Sequence, residues 1–165
     1  MNPLLQNLIE ALREELKQYG EMLALLDQQQ HQIIVRHAPD LLQTVGSVEA
    51  QAEAVRVARQ EREQRRRHLA RTFGLDDEVA VRELTPRLPA DYRPLVQALV
   101  HENNELLLRI QQRARQNHLL LSRAVELMQK FINTLVPGAA PATYTETGVV
   151  PAVLSADHSL YNAVG

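Results

Sequence analysis

A chain of 165 residues and 18.7 kDa is the size of one domain, and 45 % apolar with 23 % charged residues is the mixture of a folded globular protein. Six aromatic residues, no Trp, and 14 Gly and Pro together exclude a β-sandwich or barrel, which needs frequent turn residues and a supply of aromatic side chains. Zero Cys excludes disulfides, thiolate metal sites and a Cys nucleophile, and a formal net charge of −2 gives no whole-molecule attraction to nucleic acid or an anionic membrane.

The first element follows Pro3, which suits the first turn of a helix with Asn2 as its cap. Apolar residues then fall at Leu4, Leu5, Leu8, Ile9, Leu12, Leu16, Tyr19, Leu23 and Leu26, the three-and-four spacing of an amphipathic helix. Polar residues interrupt every apolar run, so neither a signal peptide nor a membrane span is expected, and the reading is cytoplasmic without membrane insertion. The helix is predicted over 3–37, stopping before Pro39.

Asp40 opens a second predicted helix, over 40–73, which Gly74 closes. From Arg56 to Arg71 it carries seven Arg and two Glu, a local net of +5. A phosphate-binding face is one reading. The plainer one is a solvated face with i,i+4 pairs, Glu61 to Arg65 and Glu63 to Arg67. No aromatics are interleaved for stacking on bases, so nucleic acid is not expected as a partner. On the plainer reading, changing Arg65, Arg66 and Arg67 together to Gln alters stability by less than about 1 kcal/mol. The adjacent Glu14 and Glu15 point apart on their helix and form no acid/base pair.

Residues 75–94 form a Pro-rich connector with a short helix over EVAVREL. A third long helix begins near Asp91 or Arg93 and is predicted over 91–136, with no Gly or Pro from Leu95 to Val136, about 60 Å of helix. Its seam runs through Leu99, Asn103, Leu106, Ile110, Arg113, Asn117, Leu121, Ala124, Met128, Phe131 and Leu135, with Ala114 as the alternative inward residue beside Arg113. Asn103 and Asn117 either fix the register of a buried seam or lie where helices splay and a partner's backbone approaches. Leu106, Leu107 and Leu108, like Leu119, Leu120 and Leu121, spread over about 200° of the helix. One partner helix cannot cover that arc. The helix either sits between two others or keeps an apolar strip for another chain.

Pro137-Gly138 ends the helix, and the remainder changes character: no Lys or Arg, yet apolar residues at Val149, Val150, Val153, Leu154, Leu160 and Tyr161. It reads as a flexible tail able to fold onto a partner or back onto the protein. The fold class is therefore all-α: an elongated antiparallel bundle of three long helices with a short connecting helix, residues 1–137, and a C-terminal tail, residues 138–165. The first and third long helices are expected to pack antiparallel. No Gly-rich phosphate loop, GxSxG or HExxH is present, and the six His have no i,i+4 pair, so no enzyme activity, cofactor or metal is expected.

Three segments carry a resemblance. The opening LLQNLIEALREELKQYGEMLALLDQQQHQI, the later HENNELLLRIQQRARQNHLLLSRAVELMQKFINTLV, and ATYTETG, with Tyr144 and Gly148 as a Tyr-x-x-x-Gly, resemble the FlgN-type flagellar synthesis chaperones in order and helix length. The resemblance implies a small cytoplasmic, non-enzymatic chaperone. It would bind hook-associated (hook–filament junction) proteins through their amphipathic terminal helices and deliver them to the flagellar export apparatus. The residues expected to bind cargo are Leu121, Val125, Met128 and Ile132 on the last helix, with Tyr144 and Gly148 beyond it. The alternatives are a generic helical homodimeric coiled coil, so that a homo-oligomer stays open, and a nucleic-acid-associated protein acting through the Arg-rich helix.

Overall fold

The structure, a computed structural model, describes residues 3–135. The described elements, in chain order, are α1 (Pro3–Val35), α2 (Ala38–Thr72), a short α3 (Val81–Leu84) continued by 3-10 turns at Thr85–Arg87 and Ala90–Tyr92, and α4 (Arg93–Leu135). There is no strand among the described residues. Residues up to Val125 belong to one compact unit, and the closing turns of α4, from Glu126, are described by themselves. The cap at Asn2, the expected boundary at 137/138 and the tail lie outside the described residues.

The long helices form where the apolar period predicts them, with ends shifted by no more than two residues. One start is corrected: α2 opens at Ala38 rather than Asp40, taking Pro39 into its first turn. That position is free to hold Pro because its missing N–H would have had no helical partner. Two terminations share one geometry. After α2, Gly74 N–H donates to the Arg71 carbonyl and Leu75 N–H to the Ala70 carbonyl, with Gly74 at φ +66°. After α1, Arg36 N–H donates to Ile33 and His37 N–H to Gln32, with Arg36 at φ +57°. Both are Schellman closures, which require a left-handed residue just past the helix. Glycine takes that conformation freely, whereas Arg36 does so at a steric cost.

The two-residue joint at Arg36–His37 turns α2 back along α1. Gln51 Nε2 donates to the Gln18 carbonyl (3.0 Å) and to Gln18 Oε1 (2.7 Å), and Arg62 lies beside Glu15, so numbers rise on α2 as they fall on α1. α4 runs the other way. Asn103 Nδ2 donates to the Leu12 carbonyl at 3.0 Å and Asn117 Nδ2 to the Leu26 carbonyl at 2.8 Å. Both pairs are offset by 91 residues, so α1 and α4 are parallel. The expectation that the first and third long helices pack antiparallel is thereby corrected. The connector between α2 and α4 is itself helical and structured, and it turns the chain at the starting end of α1, to which α2 has already returned it.

Two apolar clusters hold this unit. The first joins Leu5, Leu8, Ile9 and Leu12 of α1 with Leu69 of α2, Val81 and Leu88 of the connector, and Val96 and Leu99 of α4. The second joins Tyr19, Met22 and Leu26 of α1 with Val55 of α2 and Ile110 of α4.

The solvated-face reading of the Arg run holds for some members and fails for one. Arg65 pairs with Glu61 on the surface, and Arg71 pairs with Asp77. Arg66, however, is only 4 % exposed, with Nε on Glu63 Oε2 (2.7 Å) and Nη1 donating to the Val79 carbonyl. It ties α2 to the loop that begins the connector. The i,i+3 and i,i+4 spacing of Glu63 reaches either Arg66 or Arg67, and only packing of the connector decides which one is covered. Replacing Arg66 with Ala should cost about 2 kcal/mol, since it strands the Val79 carbonyl, removes one of the two Arg partners of the half-buried Glu63 and leaves the space of a buried side chain empty. Replacing Arg65 or Arg67 the same way should change stability by about 0.5 kcal/mol or less. Urea melts of the three single variants check this.

Candidate functional site

α4 changes character along its length. Through Asn117 its seam is buried: Val96, Leu99, Asn103, Ile110 and Asn117 face inward, and Ala114 packs on the second cluster. Ala114 takes the inward place, while Arg113 turns aside, its Nε 2.7 Å from Asp27 Oδ1 and its guanidinium also on Gln30. Leu106 and Leu107 are half-buried and Leu108 is exposed, so the wide apolar arc is partly used inside the unit.

Beyond Asn117 burial falls away. Leu121 is half-buried and Val125 is 54 % exposed. In the closing turns Leu127, Met128, Phe131, Ile132 and Leu135 are all more than half exposed, from 51 % at Ile132 to 67 % at Met128. Leu121, Val125, Met128 and Ile132 follow one another at four, three and four residues, which places them on a single helical stripe. Phe131 and Leu135 widen that stripe. Isolated exposed apolar residues are ordinary, but a contiguous run of this kind marks an interaction surface. The other two expected binding residues, Tyr144 and Gly148, lie outside the described residues. The apolar residues Ile34, Val35 and Leu42, at the joint of the α1–α2 hairpin, are also exposed. The helical period along α1 carries no signal of this exposure, which the position of the joint decides.

The asparagines do two jobs at once. Each lies buried in the α4 seam and donates its amide to a backbone carbonyl of α1; Asn103 also donates to Leu99 and Asn117 to Gln29 Oε1 (2.9 Å). They set register, and they do so by gripping a neighbouring backbone. Their own Oδ1 atoms are buried with no hydrogen-bond partner.

A charged cluster sits between α1 and α2. Glu15 is 3 % exposed, accepts a 2.9 Å hydrogen bond from the Tyr19 hydroxyl, and faces Arg62, whose Nε stands 3.1 Å from Glu15 Oε2. That pair is ionic rather than a well-aligned hydrogen bond, since Arg62 Nε has no partner of hydrogen-bonding geometry. Burial pushes the Glu15 carboxyl above its ordinary range, against the opposing pull of Arg62. Burial and the Glu15 charge likewise raise the Tyr19 hydroxyl. Glu14, one residue away, is exposed, so the two adjacent carboxylates do point apart. On the surface the reverse holds: the hydrogen bond from Arg71 keeps Asp77 below its ordinary range.

Two shallow hollows lie among the described residues. One, of about 420 Å³, is lined by Leu23, Asp27, Arg109, Gln112, Arg113 and Gln116. The other, of about 540 Å³, lies over Gln64, Arg67, His68, Arg71 and Thr72 of α2. Neither brings a nucleophile to a general base. Among the described residues no group of three or more His, Asp or Glu could hold a metal ion, and no helix is long and apolar enough to cross a membrane.

Among the described residues, an all-helical architecture with an exposed apolar helix face defines a protein-binding module. The chain matches the FlgN protein family over residues 1–151 and belongs to it, a family of flagellar export chaperones. The comparisons with curated proteins and with solved structures gave no match.

The Glu15–Arg62 pair yields a pH prediction. Arg62→Met leaves Glu15 as a buried charge without its counter-ion and should cost about 3 kcal/mol at pH 7. Because burial raises the native carboxyl, the native state holds that proton more tightly than the unfolded chain. The stability this lends is complete below the ordinary value of 4.5 and is lost as pH rises through the native value. The Arg62→Met variant should therefore regain stability relative to the parent as pH falls from 7 toward 5. Adding Glu15→Gln should abolish that pH dependence. Urea melts across this range measure both.

Proposed function

We propose that this protein binds the amphipathic terminal helices of hook-associated proteins in the cytoplasm before their secretion, and hands them to the flagellar export apparatus. The observation that carries the reading is the apolar stripe Leu121, Val125, Met128 and Ile132 on α4, half-buried at Leu121, exposed from Val125 onward, and widened by Phe131 and Leu135. An amphipathic helix recognises such a face through i, i+3, i+4 and i+7 anchors. Met128 suits the task because its thioether adapts to differing partner side chains. The three long helices act as the bundle that presents this face, and Tyr144 and Gly148 lie in the following segment as the remaining cargo contacts. The same stripe would keep an aggregation-prone cargo helix covered during transit. No nucleotide, metal or other cofactor is required for binding of this kind.

A self-associating coiled coil is the second reading, and the same exposed stripe supports it. Light scattering on a sizing column separates the two: a stable dimer with the α4 face covered favours self-association.

Val125→Asp with Met128→Asp tests the site. Both side chains are more than half exposed, so the variant should melt within about 1 kcal/mol of the parent. Its affinity for a synthetic peptide of a hook-associated protein's C-terminal helix should fall by more than tenfold, or about 1.4 kcal/mol. Calorimetric titration beside a thermal melt gives both values. Unchanged binding with unchanged stability removes this surface from the mechanism.

A further inference from the structure

The amino-acid order concentrates positive charge in the Arg run of α2, but pairing neutralises most of it. Six of the seven Arg in that run, all but Arg59, stand in ion pairs with carboxylates. Positive charge without a matching acid on its own helix lies on α4. From Leu106 to Val125 this helix has four Arg and no Asp or Glu. Two of them, Arg109 and Arg113, line the hollow of about 420 Å³ that α4 forms with α1. Asp27 is the one carboxylate among the lining residues, and it is already engaged: Arg113 Nε stands 2.7 Å from its Oδ1. Arg109 is exposed and makes no hydrogen bond or ion pair among the described residues.

These groups fit carboxylates. Arg109 and Arg113 are one helical turn apart, where like charges repel and an anion between them is favoured. A guanidinium fork matches the two oxygens of a carboxylate. Gln112 and Gln116 add neutral donors, and Leu23 supplies an apolar floor for the stem of a Glu side chain. A nucleic acid would find less there. The backbone N–H groups of a mid-helix segment are taken up by the helix itself, and none of the lining residues is aromatic, so there is neither a phosphate cradle nor a stacking surface. The walls come from two parallel helices, so the hollow is aligned with their axes and admits an elongated chain.

We propose that this hollow between α1 and α4 docks an acidic peptide segment of a partner protein, with carboxylates one helical turn apart pairing with Arg109 and Arg113. Arg109 is the principal contact because no carboxylate of the fold holds it. Asp27 is an internal competitor that occupies part of the Arg113 guanidinium. None of these residues belongs to the apolar stripe, so the proposal does not depend on the cargo reading.

The test uses the full chain and a fluorescein-labelled, alanine-based helical peptide with Glu pairs at i,i+4, beside the same peptide with Gln in place of Glu. Anisotropy at low salt should show saturable binding of the Glu peptide, at least tenfold tighter than that of the Gln peptide. Arg109→Glu should weaken it by tenfold or more, about 1.4 kcal/mol, while melting like the parent. Asp27→Asn should strengthen it by about threefold or more, since it releases Arg113. Arg82→Glu and Glu49→Gln make the same changes of net charge at exposed positions that do not line the hollow, and should alter affinity by less than about twofold. Failure of the Glu peptide to bind, equal binding of the Gln peptide, or equal effects of the hollow and control variants overturns the proposal. An oligothymidylate of equal charge is titrated in parallel. Weaker binding than the Glu peptide supports the assignment, whereas tighter binding that Arg109→Glu removes overturns it in favour of nucleic acid.

Discussion

The register between α1 and α4 rests on two amides. Asn103 and Asn117 stand fourteen residues apart on α4, and the carbonyls they grip, on Leu12 and Leu26, stand fourteen apart on α1. Fourteen residues are two heptads, the interval at which parallel helices in a left-handed supercoil return to the same relation. Apolar seams alone tolerate slippage, because one Leu replaces another at similar energy. A slipped seam would leave both amides buried against side chains, at about 1–3 kcal/mol each. The two contacts therefore choose one register and one direction from the many that heptads allow. The buried Oδ1 atoms without partners show that this specificity is kept at some expense in stability.

α2 is held differently. It is poor in apolar residues, with only Val55, Ala58, Leu69 and Ala70 as its buried apolar side chains. Much of its attachment is polar and specific: Gln51 on Gln18, Arg62 against Glu15, and Arg66 on Glu63 and the Val79 carbonyl. Charged groups in such places add little net stability compared with apolar packing, but removing one partner is costly. The Arg-rich run is thus a structural seam on its inner side and a paired, solvated face on its outer side.

The exposure pattern divides α4 into two halves. The buried half of α4 is spent on register and core. The half beyond Asn117 retains an apolar stripe with no described partner side chains to cover it, though covering that surface would be favourable by about 25 cal/mol per Å². Under the proposed function, that surface is the one that would receive a cargo helix.

Much of this was legible in the amino-acid order. The spacing from Leu4 to Leu26, the unbroken stretch from Leu95 to Val136, and Gly74 as a helix stop are local signals, set by helical period and backbone sterics, and they located the long helices to within two residues. The stripe from Leu121 to Ile132 was legible for the same reason: an apolar arc wider than one seam is a property of a single helix. What the sequence could not decide was which residues meet across helices. The parallel direction of α1 and α4 depends on two reversals, α2 folding back along α1 and a structured connector turning the chain again at the starting end of α1. The burial of Arg66 depends on where Val79 lies, and the burial of Glu15 on Arg62, 47 residues away. Arg36 closes α1 in a left-handed conformation that local propensity assigns to glycine, because the antiparallel packing of α1 and α2 leaves only a two-residue turn there. Period and propensity act within a few residues of the chain, and so the sequence carries them openly. Partnership between distant side chains is settled only when burial makes every unpaired polar group costly, and that condition exists only in the folded unit.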